Sequence, residues 1–334
     1  MKGRIILQKF SHIYVERNVL SNPRTEKILK KLIKSKVVIV DSYKEVFNRP
    51  NQDFVLQKQF QNLIIGEKKG EFIYKGSKLC EDYGNVEFYH TSNVFNCIYD
   101  CDYCYLLGMY TSGNVVIFVN IEDFFREIDK ITKDKKIYLS ISYETDLLAL
   151  ENLTGFTKEW IKYALNNQNL IIEIRTKSAN FSSVEKVEIK DNVIFAWSLL
   201  PQQVIDKYER FTPGLTSRIN NIKKAISKGL NVRLSIEPIL YINDFEKIYS
   251  NFFEELFLNI PLKNIKDINI GVLRMIKEQA KRIEKQRKDS PVFCYDTVIK
   301  NGIFTYENDE YLKEFIYNEI LKYVPKEKIY LQKL

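Results

Sequence analysis

From about residue 86 the chain alternates short β-branched or aromatic runs with amphipathic segments, and this rhythm restricts its fold more than any other feature. Strands are predicted over Glu87–Val94, Lys136–Tyr143, Leu170–Thr176, Val193–Leu199, Asn231–Ile239 and Ile268–Arg274. Helices are predicted over Ile121–Ile131, Thr157–Asn166, Leu215–Gly229 and Asp244–Phe257. In the third of these, Ile219, Ile222 and Ile226 share one stripe, and Gly229 supplies a stop. Strands separated by helices pair in parallel, because a parallel crossover needs about the length of a helix. The expected fold is α/β: an open, partial (β/α)6 TIM-like barrel over residues 86–275. Residues 1–85 read as an N-terminal α/β extension with a helix from Pro23 to Lys36. Residues 276–334 read as a small α+β segment: a charged helix Lys277–Lys288, a β-like stretch Pro291–Tyr306 and a helix Asp309–Tyr323.

A length of 334 residues suits one large domain or two smaller ones. With 45% apolar and 28% charged residues the chain is neither a disordered tail nor a fibre. No apolar run approaches the ~20 residues that cross a bilayer. The opening MKGRIILQKFSHIYVERNVL carries no cleavable apolar segment, so a cytoplasmic protein without membrane attachment is expected. The net charge of +8 permits a polyanionic partner without requiring one. Lys27, Lys30, Lys31 and Lys34 recur at helical spacing and read as a solvated face rather than a nucleic-acid face.

Five cysteines is an odd number, and three crowd into Cys97-Ile98-Tyr99-Asp100-Cys101-Asp102-Tyr103-Cys104-Tyr105. The pattern argues against a disulfide framework and for a metal or redox site in a reducing compartment. This C-x3-C-x2-C loop follows the first predicted strand, at the end of a barrel that carries chemistry. Three soft thiolates suit three corners of a 4Fe–4S cube and leave the fourth iron open to a small molecule. Zinc completed by Cys80 or His90 is the competing reading. Zinc loops more often show paired C-x2-C units, and no second pair exists here.

The C-x3-C-x-aromatic-C spacing resembles that of the radical S-adenosylmethionine (SAM) superfamily. The resemblance implies a 4Fe–4S cluster on Cys97, Cys101 and Cys104, with SAM chelating the fourth iron. It also implies reductive cleavage of SAM to a 5′-deoxyadenosyl radical. More narrowly, Cys101-Asp102-Tyr103-Cys104-Tyr105-Leu106 resembles the C-x-Y-C-Y-L loop of the spore photoproduct lyase family. Downstream, Ser142-Tyr143-Glu144-Thr145-Asp146, Arg175-Thr176-Lys177, Trp197-Ser198, Arg218-Ile219 and Ile236-Glu237-Pro238-Ile239 resemble family segments on successive units, and Arg274 matches more weakly. Thr145, Asp146, Lys177, Ser198 and Glu237 fall at or just past the C-terminal ends of predicted strands, facing a common mouth. Lys177 is the candidate for the SAM carboxylate, Thr145 and Ser198 for its methionyl or ribose groups, and Glu237 joins them as a cofactor-binding candidate. Strand-end hydration and helix capping are the competing uses of these side chains. By the resemblance, Tyr103 and Tyr105 contact SAM and take part in a radical relay.

The family acts on a thymine dimer in DNA whose bridging bond fragments to leave a thymine allyl radical, which a cysteine thiol quenches. At that cysteine's place this chain has Tyr143, with no cysteine in 140–146. Cys80 and Cys294 remain. Cys294 lies in the apolar run Pro291-Val292-Phe293-Cys294-Tyr295, where burial explains it. Cys80 precedes the first barrel strand and would have to fold over the barrel mouth to act. It is the expected hydrogen donor, with the slower Tyr143 hydroxyl as the other choice.

The resemblance therefore implies a carbon–carbon lyase that repairs spore photoproduct in DNA, fed by an external one-electron reductant of flavodoxin or ferredoxin type. A lesion in duplex DNA must be extruded to reach the site. Lys277, Lys281, Arg282, Lys285, Arg287 and Lys288 are candidate phosphate contacts, or else a solvated helix. Tyr143 keeps open a related radical SAM reaction on a small molecule, peptide or RNA. A zinc or iron–sulfur nucleic-acid-binding protein is the remaining alternative.

Overall fold

The computed structural model describes residues 10–76, 80, 82–84 and 87–332. Six parallel strands lie side by side in chain order: Phe88–Thr91, Ile137–Ser140, Leu170–Thr176, Val193–Ser198, Asn231–Ile239 and Asp267–Val272. Ile137–Ser140, Val193–Ser198 and Asp267–Val272 are buried along their whole length. Such near-continuous burial belongs to parallel strands covered on both faces. Helices Ile121–Thr132, Phe156–Leu165, Leu215–Ser227 and Phe245–Asn259 supply the cover. The helix Leu215–Ser227 buries Ile219, Ile222 and Ile226, and the chain turns out of it through Gly229 at φ 72°.

The barrel stays open. Ile73–Lys75 pairs antiparallel with the first strand, and Ile329–Leu331 pairs parallel with the sixth. The chain's tail thus forms a further edge strand, reached by the crossover helix Asp309–Leu321. Between the third and fourth strands the crossover has only a 3-10 turn, Phe181–Ser183.

The N-terminal extension forms a mainly parallel sheet that takes in two strands from beyond residue 86. Lys36–Val40, His12–Glu16, Leu63–Gly66 and Val115–Phe118 pair in that order, and Val94–Phe95 joins antiparallel at the edge. Its first helix is Pro23–Lys31, started by Asn22, whose side chain accepts from Arg24 N, and by Pro23 at the first turn. The helix ends before the expected Lys36. Lys36-Val37-Val38-Ile39-Val40 is β-branched and pairs with His12–Glu16, and tertiary pairing prevails over the lysine spacing. Lys31 is not solvated as expected: its Nζ donates to the carbonyls of Asn152 and Leu153 at 2.7 and 2.9 Å, at the end of helix Glu151–Thr154.

In the C-terminal segment, Lys277–Gln286 is helical and Thr297–Lys300 pairs with Ile303–Tyr306. Asn301 and Gly302 close that hairpin at φ 50° and 81°, as a two-residue primed turn requires. Arg274–Ile276 adds a third strand to it. Pro291–Phe293, inside the stretch expected to be β, is a 3-10 turn. Among the described residues no helix is long and apolar enough to cross a membrane.

Candidate active site

The cysteine loop leaves the first barrel strand through the short strand Val94–Phe95 and turns at Asn96, which adopts φ 63°. The Asn96 amide holds that turn by donating to the carbonyls of Ser112 and Asn114 at 2.6 and 2.8 Å. Asp100–Cys101 then pairs antiparallel with Glu209–Arg210, and Asp102 N donates to Tyr208 O at 2.8 Å. Asp100 and Asp102 alternate with the cysteines and face two arginines. Arg287 is bonded to Asp100 and lies 3.7 Å from Asp102, while Arg210 is bonded to Asp102 and lies 3.9 Å from Asp100. Arg287 is therefore buried against the loop and is not a phosphate contact. Arg282 remains exposed while donating to Gly108 O at 3.2 Å.

Cys97, Cys101 and Cys104 are free thiols. Burial pushes the Cys97 thiol up to about 11 and holds that of Cys101 well above its ordinary value. Such thiols stay protonated until a cation draws the proton off, as a bound metal centre does. The donor set is all sulfur, which fits an iron–sulfur cluster. Among the described residues no three His, Cys, Asp or Glu side chains gather into a site for a single metal ion. Cys80 and His90, the expected fourth ligands of a zinc site, both lie against Tyr143.

Beneath the loop sits a carboxylate that sequence reasoning missed. Glu209 is buried and accepts from the Tyr103 hydroxyl and from Arg218, with Lys177 Nζ 4.0 Å away. Burial opposes its ionisation, but Arg218 and Lys177 overcome that and hold its carboxyl below the usual range. For Lys177, burial disfavours the ammonium, and Cys101 in its thiolate form together with the Glu209 carboxylate more than restores it. Its Nζ lies 5.7 Å from the centre of the Tyr103 ring. Arg218 reaches the Ser198 carbonyl at 2.9 Å, tying the fourth strand to the same network.

Asp146 acts as a brace. Its carboxylate accepts from Thr176 Oγ1, Lys177 N and Ala149 N at 2.7 to 3.0 Å, so it locks the ends of the second and third strands together. The neighbouring Thr145 differs: its hydroxyl is buried with no partner. An orphaned hydroxyl at the barrel mouth is what a missing polar ligand leaves behind, and this fits SAM. Ser198 is buried at its strand end. Glu237 is engaged by Arg175, Asn269 and Gln332 at 2.8, 2.7 and 3.2 Å. Those bonds place it in the barrel's internal polar network, apart from the group around Glu209.

Tyr105 donates to the carbonyl of Tyr143, and their ring centroids are 6.0 Å apart. The Tyr143 hydroxyl lies 3.7 Å from Cys80 Sγ. His90 stacks on Tyr143 at 4.1 Å, and burial lowers its pKa to about 4, so the imidazole is neutral. Cys80, Tyr143 and Tyr105 thus form a contiguous row ending beside Cys104. Cys294, expected to be buried, is exposed, in a turn where only its neighbour Val292 is buried.

Residues 9–331 match the profile of the spore photoproduct lyase family. Among solved structures, a spore photoproduct lyase double mutant with bound AdoMet and dinucleoside spore photoproduct aligns at a TM-score of 0.83 and 18% identity, covering 98% of this chain and 100% of that one. A single mutant with dinucleoside spore photoproduct aligns at 0.81 and 19%, over 98% and 99% of the two chains. Spore photoproduct lyase complexed with the same dinucleoside aligns at 0.79 and 18%, over 97% and 98%. At that identity the likeness establishes the fold. No curated protein sequence matches the chain.

Proposed function

The chain belongs to the spore photoproduct lyase family, and from that premise we propose that it is a radical SAM lyase that restores thymines from spore photoproduct in DNA. The observation that carries the reading is the three-thiol loop braced over the Tyr103–Glu209–Lys177–Arg218 network, with the orphaned Thr145 hydroxyl at the same mouth. Cys97, Cys101 and Cys104 would hold a 4Fe–4S cluster. Thr145, Lys177 and Ser198 would hold SAM, with Tyr103 against it. When bound, the two supply a 5′-deoxyadenosyl radical.

The chain's own residues have three tasks. Glu209 is committed to Arg218, Lys177 and Tyr103, so it fixes the positions of the lysine and the tyrosine rather than reacting. Arg210 and Arg287 fasten the loop from outside through Asp100 and Asp102. Cys80 donates the hydrogen: its S–H bond breaks as a C–H bond forms on the thymine radical. Tyr143, at 3.7 Å, then gives its hydroxyl hydrogen to the sulfur radical, re-forming the S–H bond. The phenoxyl radical left on Tyr143, with the Tyr105 ring 6.0 Å from it, returns to the phenol by taking one electron from the external reductant and one proton. What supports this reading is that the tyrosine at the family cysteine's place touches another thiol.

A lesion inside DNA must be swung out of the stack to reach the mouth, and an external one-electron donor of flavodoxin or ferredoxin type is the expected reductant. The test is anaerobic reconstitution with iron and sulfide, then incubation with SAM, dithionite and UV-irradiated dry DNA. Regenerated thymine is expected. SAM cleavage without thymine would transfer the chain to another substrate, and a preparation that binds no iron–sulfur cluster would remove the radical reading.

A further inference from the structure

We infer that Lys58 is a positioning residue that raises the reduction potential of the cluster, by holding an unneutralised ammonium against the Cys97 end of the loop. The inference rests on the cluster reading above. Lys58 belongs to the N-terminal extension, on the helix Phe54–Gln59, whose first turn is capped by Asp53 accepting from Leu56 N at 2.8 Å. The helix is pressed against the chain after the cysteine loop. Gln57 Oε1 accepts from Gly113 N at 2.7 Å, and a Cβ on Gly113 would lie 2.6 Å from Phe54 O. That fit leaves Lys58 only 4% exposed, with Nζ donating to the Cys97 carbonyl. Gln61 donates to the same carbonyl at 2.9 Å, so the carbonyl has a second tether that carries no charge.

Among the described residues no carboxylate forms an ion pair with Lys58, and its Nζ lies 6.0 Å from the centre of the Phe54 ring. A buried cation without an anion is costly, and such a group persists where something compensates it. Three thiolates bound to a cluster provide that compensation, and an added electron provides more of it. Attraction between a fixed positive charge and the cluster grows as the cluster gains negative charge, and it is strong where water is excluded. The reduced state is therefore favoured over the oxidised one, and net charge and local surroundings are known levers on cluster potential.

Two variants separate charge from tethering. Lys58→Gln keeps a donor for the Cys97 carbonyl and removes the charge; Lys58→Arg keeps the charge. Each is reconstituted anaerobically without SAM and titrated with dithionite against redox mediators, following the EPR signal of the reduced cluster. Lys58→Gln should hold about tenfold less reduced cluster at a given ambient potential, roughly 59 mV downward for a one-electron couple. Lys58→Arg should titrate with the wild type. Coincident titrations of Lys58→Gln and wild type overturn the inference. If Lys58→Gln retains no iron, retention by Lys58→Arg supports the role of charge, and loss by both overturns it in favour of packing alone. A wild-type chain that binds no cluster defeats the cluster reading itself, a separate outcome.

Discussion

Glu209 and Arg218 make the most demanding test of how the site is held. Both side chains are 0% exposed. Arg218 donates to Glu209, Thr212 Oγ1, Pro213 O and Ser198 O, the last three at 2.9 Å, so its guanidinium is satisfied in hydrogen bonds and relies on Glu209 for charge. Glu209→Gln keeps the shape and leaves Arg218 and Lys177 buried as two cations without a carboxylate. Breaking a buried pair by removing one partner costs about 3–5 kcal/mol, and Lys177 places this variant toward the upper end. Arg218→Met leaves Glu209 with Lys177 at 4.0 Å and the Tyr103 hydroxyl, so about 3 kcal/mol is expected. In the double variant the worst defect of each single change is gone, and the costs should fall short of additivity by about 1–3 kcal/mol. Guanidinium unfolding of the four proteins, each with its slope checked for two-state behaviour, gives the cycle directly. Additive costs would refute the reasoning, since they would mean that Glu209 and Arg218 do not compensate each other. Because Glu209 also carries Tyr103 and Lys177, Glu209→Gln should bind SAM more weakly even where it is folded, which equilibrium dialysis measures.

Cys80→Ala should replace clean thymine with side-products of the trapped thymine radical, read by chromatography of the digested DNA, while Tyr143→Phe should slow turnover and keep the product clean; clean repair by Cys80→Ala would remove that thiol from the reaction. Inside the barrel Arg233 is bonded to Glu173 at 2.7 Å and to Asp267, and Arg175 meets Glu173 at 3.1 Å; these buried pairs should make the fold acid-labile. Burial works against ionisation of Glu173, yet Arg175 and Arg233 outweigh it and lower its pKa to about 2 from an ordinary 4.5. A lowered carboxyl stabilises the fold above its unfolded pKa, and that contribution is lost as pH falls from about 4.5 toward 2. Thermal melts across pH 2.5 to 7 should therefore fall steeply at the acid end for the wild type and less steeply for Glu173→Gln, and parallel acid limbs would contradict the assignment.

Several of these groups were legible along the chain and others were not. The cysteine loop is local: nine consecutive residues carry its chemistry, and its three cysteines are free thiols in the fold. The barrel strands were legible because apolar periodicity reports burial, and Leu170–Thr176 and Asn231–Ile239 occupy the predicted ranges. Glu209 had no such signal. It follows an ordinary amphipathic turn, and its importance comes from Tyr103, 106 positions earlier, together with Lys177 and Arg218. Within the basic run Lys277–Lys288 the place of Arg287 was hidden for the same reason, since a sequence shows that Arg287 is charged but not that Asp100 awaits it.

The order of residues alone fixed the spacing of the three thiols and the alternation of elements, because sulfur spacing and hydrophobic period are properties of neighbours along a chain. Folding alone decided which distant groups meet: Cys80 with Tyr143, Lys58 with the Cys97 carbonyl, and Arg210 and Arg287 with the acids between the cysteines. Electrostatic and hydrogen-bonded partnerships depend on separation in space and on exclusion of water, and neither is written in the distance between two letters of a sequence.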